Sequence, residues 1–262
     1  MQVKQPVLFL SHGSPMTALG GNELNRTWET LAGRLSRPAA ILMVSAHWNT
    51  RLPILTGSAH PETIHDFGGF PAELYQLRYP SPGAPELAQR IKLQLTEAGM
   101  AAAIDASRGL DHGAWIPLRT LFPKADIPVL QLSVQPERCA RHHYALGAAL
   151  ASLPDENILI IASGHMTHNL RDYMQAGGKR PSPDSRAFRD WAHTHLMGGT
   201  SEPLLDWWHA SPGAEFAHPT PEHFLPLFVA LGAGGEKHRT EWLGGGWIED
   251  ALAADNYLFE QA

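Results

Sequence analysis

Residues 6–12 read Pro-Val-Leu-Phe-Leu-Ser-His, and residues 40–47 read Ala-Ile-Leu-Met-Val-Ser-Ala-His. Each is a short apolar run that ends in a small polar turn and an imidazole. An unbroken apolar run, in place of strict alternation, marks a strand buried on both faces, as in parallel or mixed sheets covered by helices. In such sheets ligands bind in the crevice beyond the carboxyl ends of the strands. Two strands therefore deliver His12 and His47 toward one crevice, which points to a metal site or an acid–base pair.

Working outward, further strands are expected at 52–56, 127–134 and 157–162, with a weaker one near 101–105. Helices alternate with them. Residues 22–35 place Leu24, Trp28, Leu31 and Leu35 on one stripe, and 85–98 do the same with Leu87, Ile91 and Leu95 before Gly99. Others are expected at 136–152 with Pro136 in the first turn, at 184–197, at 201–209 and at 221–231. The last has Thr220 as cap, Pro221 at the first helical position, and Phe224, Leu227, Phe228 and Leu231 at helical spacing. No repeat, linker or composition shift interrupts the pattern. It predicts a single α/β domain over 1–262, a three-layer α/β/α architecture with a central mixed, mostly parallel sheet. The Pro/Gly-rich stretches 57–83 and 171–184 are expected to be long loops, of the kind that serve as lids.

A chain of 262 residues is long enough for a full core without staples. Hydrophobic residues are 44% and charged residues 18%, the balance of a globular enzyme. The net charge of −6, with no basic block, argues against nucleic acid or an anionic membrane as partner. The single cysteine, Cys139, excludes an intrachain disulfide and a cysteine-rich zinc site. No signal-peptide pattern and no long apolar span occur, so a cytoplasmic location is expected. Oligomeric state cannot be read from the sequence. With 15 histidines, any metal would be held by nitrogen and oxygen.

Signatures of phosphate-binding loops, dinucleotide folds, serine nucleophile elbows and H-E-x-x-H metalloproteases are absent. The chemistry rests on histidines. His12 could simply cap its turn, and His47 could be packed against Trp48; the repeated strand–Ser–His arrangement makes the pair functional candidates. After a third strand comes Ser163-Gly-His-Met-Thr-His168, in which spacing does not choose between His165 and His168. His112 lies in Asp111-His-Gly113 before a helix expected to begin near Pro117, with Asp111 as orienting group or turn residue. His65 lies on a Gly-rich loop that can reach over a pocket, and with Trp48 it is a candidate for substrate binding. His223, read as the third residue of a helix, would be kept neutral by the helix N-terminus, and neutral imidazole is the form that ligates metal. Glu222 beside it is a further ligand candidate. Three neutral histidines with open positions suit Zn(II), for hydrolysis, or Fe(II), for a chelating diol and dioxygen. Trp48, Phe67, Phe70 and Trp115 would wall a flat aromatic substrate, or equally serve as core.

Seven segments in order resemble one family: Leu10-Ser-His-Gly-Ser-Pro-Met16, Val44-Ser-Ala-His-Trp48, Thr63-Ile-His-Asp-Phe-Gly-Gly-Phe-Pro71, Leu110-Asp-His-Gly-Ala-Trp115, Val129-Leu-Gln-Leu-Ser133, His168-Asn-Leu170 and Pro219-Thr-Pro-Glu-His-Phe-Leu-Pro226. The chain resembles the class III extradiol ring-cleavage dioxygenases, in the bacterial DOPA 4,5-dioxygenase-like branch. The resemblance implies metal on His12, His47 and His223, with Glu222 a minor alternative because some relatives use a carboxylate. It implies His168 as acid–base group or fourth ligand, and His112 as the group that positions substrate and dioxygen. Fe(II) is the implied metal for activity, Zn(II) its redox-inert substitute, and a small aromatic diol with dioxygen the implied substrates. The competing readings are a zinc-dependent hydrolase with the same histidines and a non-enzymatic binding protein on this fold. The second should have lost ligands, whereas every matching histidine is present.

Overall fold

The two apolar runs are the strands β1 (Val7–Ser11), buried throughout, and β2 (Ala40–Asn49), buried as far as Ala46. The computed structural model describes residues 4–176, 180–248 and 250–261. Continuing along the chain, the strands are β3 (Ile54–Thr56), β4 (Ala103–Asp105), β5 (Val129–Val134), β6 (Ile158–Gly164), β7 (His238–Gly244), β8 (Trp247–Ile248), β9 (Leu252–Ala253) and β10 (Asn256–Gln261). Eight of them form one sheet in the order β4-β3-β5-β2-β6-β1-β10-β7, and β8 pairs with β9. The central strands β5, β2, β6 and β1 are parallel, and β10 and β7 add an antiparallel edge. This is the expected mixed, mostly parallel sheet. Strand β6 lies between β1 and β2, with Ser11 opposite Gly164 and Ser45 opposite Ser163. The carboxyl ends of three adjacent strands thus meet at one edge.

Successive side chains on a strand point to opposite faces, and both faces of these strands are apolar and covered. Val7 and Phe9, with Ile158, Ile160 and Ala162, join the core beneath α2 (Pro85–Glu97), α4 (Ala140–Ala148), α6 (Pro183–Met197) and α10 (Leu225–Ala233). Leu8 and Leu10, with Leu159 and Ile161, join the other core beneath α1 (Glu23–Ala32) and α3 (His112–Leu121). Every residue of α10 is buried, and it crosses α4 closely because methyl groups at Gly147 or Gly232 would strike backbone of the facing helix. Among the described residues no helix is long and apolar enough to cross a membrane.

Several expected boundaries move for identifiable reasons. The last helix starts at Leu225, not at Pro221, and Thr220 does not cap it; its hydroxyl donates to Glu222 instead. Pro226 has no N–H to donate to the Glu222 carbonyl, so an α-helical ladder cannot run from 221. His223 therefore sits in a turn. The helix expected near Pro117 begins at His112 with Asp111 as N-cap, because the Asp111 carboxylate accepts the Ala114 N–H at 3.3 Å. The helix placed at 136–152 covers only Ala140–Ala148, and 201–209 divides into α7 (Ser201–Leu205) and α8 (Trp207–Ala210). Much of the loop expected at 171–184 is helix α5 (Leu170–Ala176), opened by Asn169, whose side chain accepts from the N–H groups of Arg171 and Asp172; residues 177–179 lie outside the described residues. A further short helix, α9, spans Ala214–Ala217.

His143 on α4 belongs to this scaffold and not to the site. Its Nδ1–H donates to the Cys139 carbonyl at 3.0 Å and its Nε2 accepts the Gln135 N–H at 3.1 Å, so both ring nitrogens are used by the neutral form. Burial lowers its pKa to about 4, against a smaller opposing contribution from the Cys139 hydrogen bond. The unfolded chain then takes up this proton first, so the stability it contributes is full above the unfolded pKa and declines as pH falls from about 6.5 toward 4. Denaturant melts between pH 7 and pH 4 are expected to show a shallower decline in His143→Asn than in wild type, by up to about 3 kcal/mol over that window.

Candidate active site

His12 follows β1 directly, and its N–H extends the pairing to the Gly164 carbonyl at 3.2 Å. Its Nδ1 lies 3.0 Å from Ser163 Oγ, and the Ser163 hydroxyl donates to the Gly113 carbonyl at 2.6 Å. That carbonyl is available because Pro117, four residues on in α3, has no N–H to occupy it. With its proton committed to Gly113, Ser163 accepts from His12 Nδ1–H and leaves Nε2 as a bare lone pair. His47 lies near the carboxyl end of β2, two residues before Asn49, with Nδ1 3.5 Å from Asp66 Oδ2. A methyl group at Gly113 would run into Ser45 Oγ and the His47 ring, so the start of α3 can approach only as glycine. His223 Nδ1 lies 3.2 Å from Glu222 Oε1, and its carbonyl accepts the His165 N–H at 2.8 Å. A side chain at Gly164 would strike that carbonyl, which is how the turn before α10 reaches the end of β6.

The three rings turn their Nε2 atoms toward one another. His47 Nε2 is 2.9 Å from His12 Nε2 and 3.3 Å from His223 Nε2, and a ligand atom from each lies within 4.8 Å of the others. Nitrogens about 2.1 Å from one metal ion, at angles between octahedral and tetrahedral, stand roughly 3.0–3.4 Å apart. Burial, followed by the neighbouring histidines, pushes the pKa of His12 and of His223 well below the ordinary value and that of His47 to about 3. Three neutral rings facing one point, each with its other nitrogen near an oxygen, suit a divalent cation.

His168, from the segment after β6, stacks on His223 with ring centroids 3.4 Å apart and planes 8° from parallel. Burial lowers its pKa to about 2, with like-charge effects of His165 and other histidines adding to it. A second potential ligand group joins His168, Glu222 and His223. His165 lies deeper, edge-on to His12 at 4.7 Å with Nε2 3.3 Å from the Gly13 carbonyl. His112 is the first residue of α3 and packs on His47, ring centroids 3.8 Å apart.

The structure does not bring His65 into the cluster. Its Nε2 donates to the Leu77 carbonyl at 3.0 Å, and its ring packs among Phe67, Tyr75 and Trp115. The neighbour Asp66 enters instead, a residue the sequence reading passed over because an acid in a loop carries no periodic signal. Burial works against its charge, but hydrogen bonds and the charge of His112 hold its pKa at about 2. Trp48 is buried beneath the Arg108 guanidinium, 4.7 Å from its ring centre, and Trp115 is core, with its indole N–H on the Ile64 carbonyl. Phe67 is the aromatic ring of the loop that meets a site histidine, edge-on to His112 at 5.6 Å.

Three histidines that could hold a metal ion gather at the carboxyl ends of parallel strands, and the comparisons say to which family such a chain is similar. Residues 6–260 match the catalytic LigB subunit of aromatic ring-opening dioxygenase, and the chain belongs to this metal-dependent family of class III extradiol dioxygenases. It is 42% identical over 260 residues to 4,5-DOPA dioxygenase extradiol of Beta vulgaris, covering 96% of this chain and 95% of the relative. The protein of the same name from Escherichia coli K12 is 43% identical over 233 residues, covering 88% of this chain and 85% of the relative. The crystal structure of an uncharacterized Escherichia coli K12 protein superposes with a TM-score of 0.83 at 35% identity, over 97% of this chain and 99% of that one.

Proposed function

We propose that the chain opens the aromatic ring of a catechol, DOPA or a close analogue, with dioxygen, using Fe(II) held by His12, His47 and His223. The observation that carries the proposal is the convergence of three Nε2 lone pairs in a chain of this family. Held by these three histidines, Fe(II) would supply the redox chemistry toward dioxygen that Zn(II) lacks.

The chain's own groups do the rest. His168 is the base that takes a catechol hydroxyl proton. Its ring is parallel to that of His223 with centroids 3.4 Å apart, so its lone pairs do not lie in the plane in which His223 offers Nε2. That arrangement supports a base beside the metal over a fourth ligand. Burial keeps it neutral at pH 7 with a lone pair open, and the negative charge of a catecholate beside it would raise its affinity for the proton. His112, braced against His47, positions the bound substrate and dioxygen, and Phe67 shields the ring from water on the loop side.

The test is anaerobic loading of metal-free protein with Fe(II), followed by DOPA and simpler catechols in air. Oxygen uptake matched by a yellow ring-opened product is expected, and none under argon. No uptake with any catechol, together with ester or amide hydrolysis by the Zn(II)-loaded protein, would replace this reading with a hydrolase.

A further inference from the structure

One carboxylate serves two of the site's rings. Asp66 Oδ1 accepts the backbone N–H of His112 at 2.9 Å, and Oδ2 lies 3.0 Å from His112 Nδ1 and 3.5 Å from His47 Nδ1. We propose that Asp66 is a positioning residue that holds the protons of His47 and His112 on Nδ1, leaving one Nε2 free for metal and the other free for substrate. Neither contact has full hydrogen-bond geometry, but a carboxylate is an acceptor only, and its charge 3.0 Å and 3.5 Å away favours hydrogen on both nitrogens that face it. The inference rests on the site reading above, yet its central claim, the tautomer of two histidines, holds for any reaction performed there.

The loop has other anchors, so Asp66 is not needed to hold it. Thr63 bridges to Leu110, the Ile64 N–H donates to the Leu110 carbonyl at 2.8 Å, and the Trp115 indole donates to the Ile64 carbonyl at 2.9 Å. Beyond Asp66 the chain turns back through Gly69, whose φ of 78° suits glycine. The carboxylate thus ties the 63–71 loop to both rings, and with it in place the tautomers of His47 and His112 are set.

Asp66→Asn is the discriminating variant. Its amide oxygen can still accept the His112 N–H, but an NH2 group replaces Oδ2 and confronts two N–H donors. Nitrogen NMR of histidine-labelled, metal-free protein should show His47 and His112 protonated at Nδ1 in wild type and shifted toward Nε2–H in Asp66→Asn. Zn(II) affinity, measured by chelator competition, should fall about 10–100-fold, with the melting temperature of the metal-free protein unchanged. Asp66→Glu should restore part of the affinity. Wild-type tautomers and affinity in Asp66→Asn would overturn the proposal. So would equal losses in Asp66→Asn and Asp66→Ala that follow a lowered melting temperature, the result for a loop anchor. If wild type binds metal yet turns over no catechol, the functional reading fails while the tautomer result stands.

Discussion

His223→Ala is expected to leave the protein folded and unable to retain metal, whereas His168→Ala keeps the metal and loses turnover. The difference follows from where the two rings point. His223 offers Nε2 to the same point as His47 and has its Nδ1 on Glu222, so its removal takes one of three donors. His168 lies against the face of His223 and contributes no atom to that trio. Metal content after desalting, measured beside oxygen uptake, checks both variants. Loss of a positioned base costs about 10²–10⁴-fold in rate. If His168→Ala also strips the metal, His168 is a ligand and its assignment as base is wrong.

Asp111→Ala is the second large expected effect, and it concerns stability. The carboxylate is fully buried, where burial raises its pKa, and it accepts from the Ser45 hydroxyl at 2.7 Å, from the Ala114 N–H, from Gln131 and from Arg108. It therefore caps α3 while joining it to β2 and β5, directly behind His47, whose N–H donates to the same Ser45 hydroxyl. Alanine would remove the cap and leave buried donors without partners, at a combined cost of about 3–5 kcal/mol. Equilibrium denaturation of the metal-free protein measures this. A loss under about 1 kcal/mol would show that water replaces the carboxylate at little cost.

The parts of the fold that were legible are those whose burial leaves an unbroken apolar run. β1, β2, β5 and β6 lie within a few residues of the expected spans, because each is covered on both faces. β7 was not legible: Arg239, Thr240, Glu241 and Trp242 occupy a half-exposed edge strand with no such run. β10 opens with Asn256, whose side chain bonds Ser11 and Trp28, and closes with Glu260 and Gln261, so polar residues bracket its apolar centre. The same holds at the site. His12 and His47 announced themselves by recurring after two strands; His168 and His223 were candidates from local context, and the family resemblance implied their roles and favoured His168 over His165. Asp66 and Ser163 were silent because each acts on a ring far away in sequence, Asp66 on His112 across 46 residues and Ser163 on His12 across 151. The start of α10 was misread because a helical stripe of apolar residues outweighed Pro226, the one residue that forbids the earlier start.

The central claim is that this histidine face turns dioxygen on a catechol ring. Its most direct test is mass spectrometry of the product formed by Fe(II)-loaded protein under dioxygen labelled with heavy oxygen. The account predicts labelled oxygen in the new carboxylate of a ring-opened product; a product whose added oxygen comes wholly from water, or an intact ring, would contradict it.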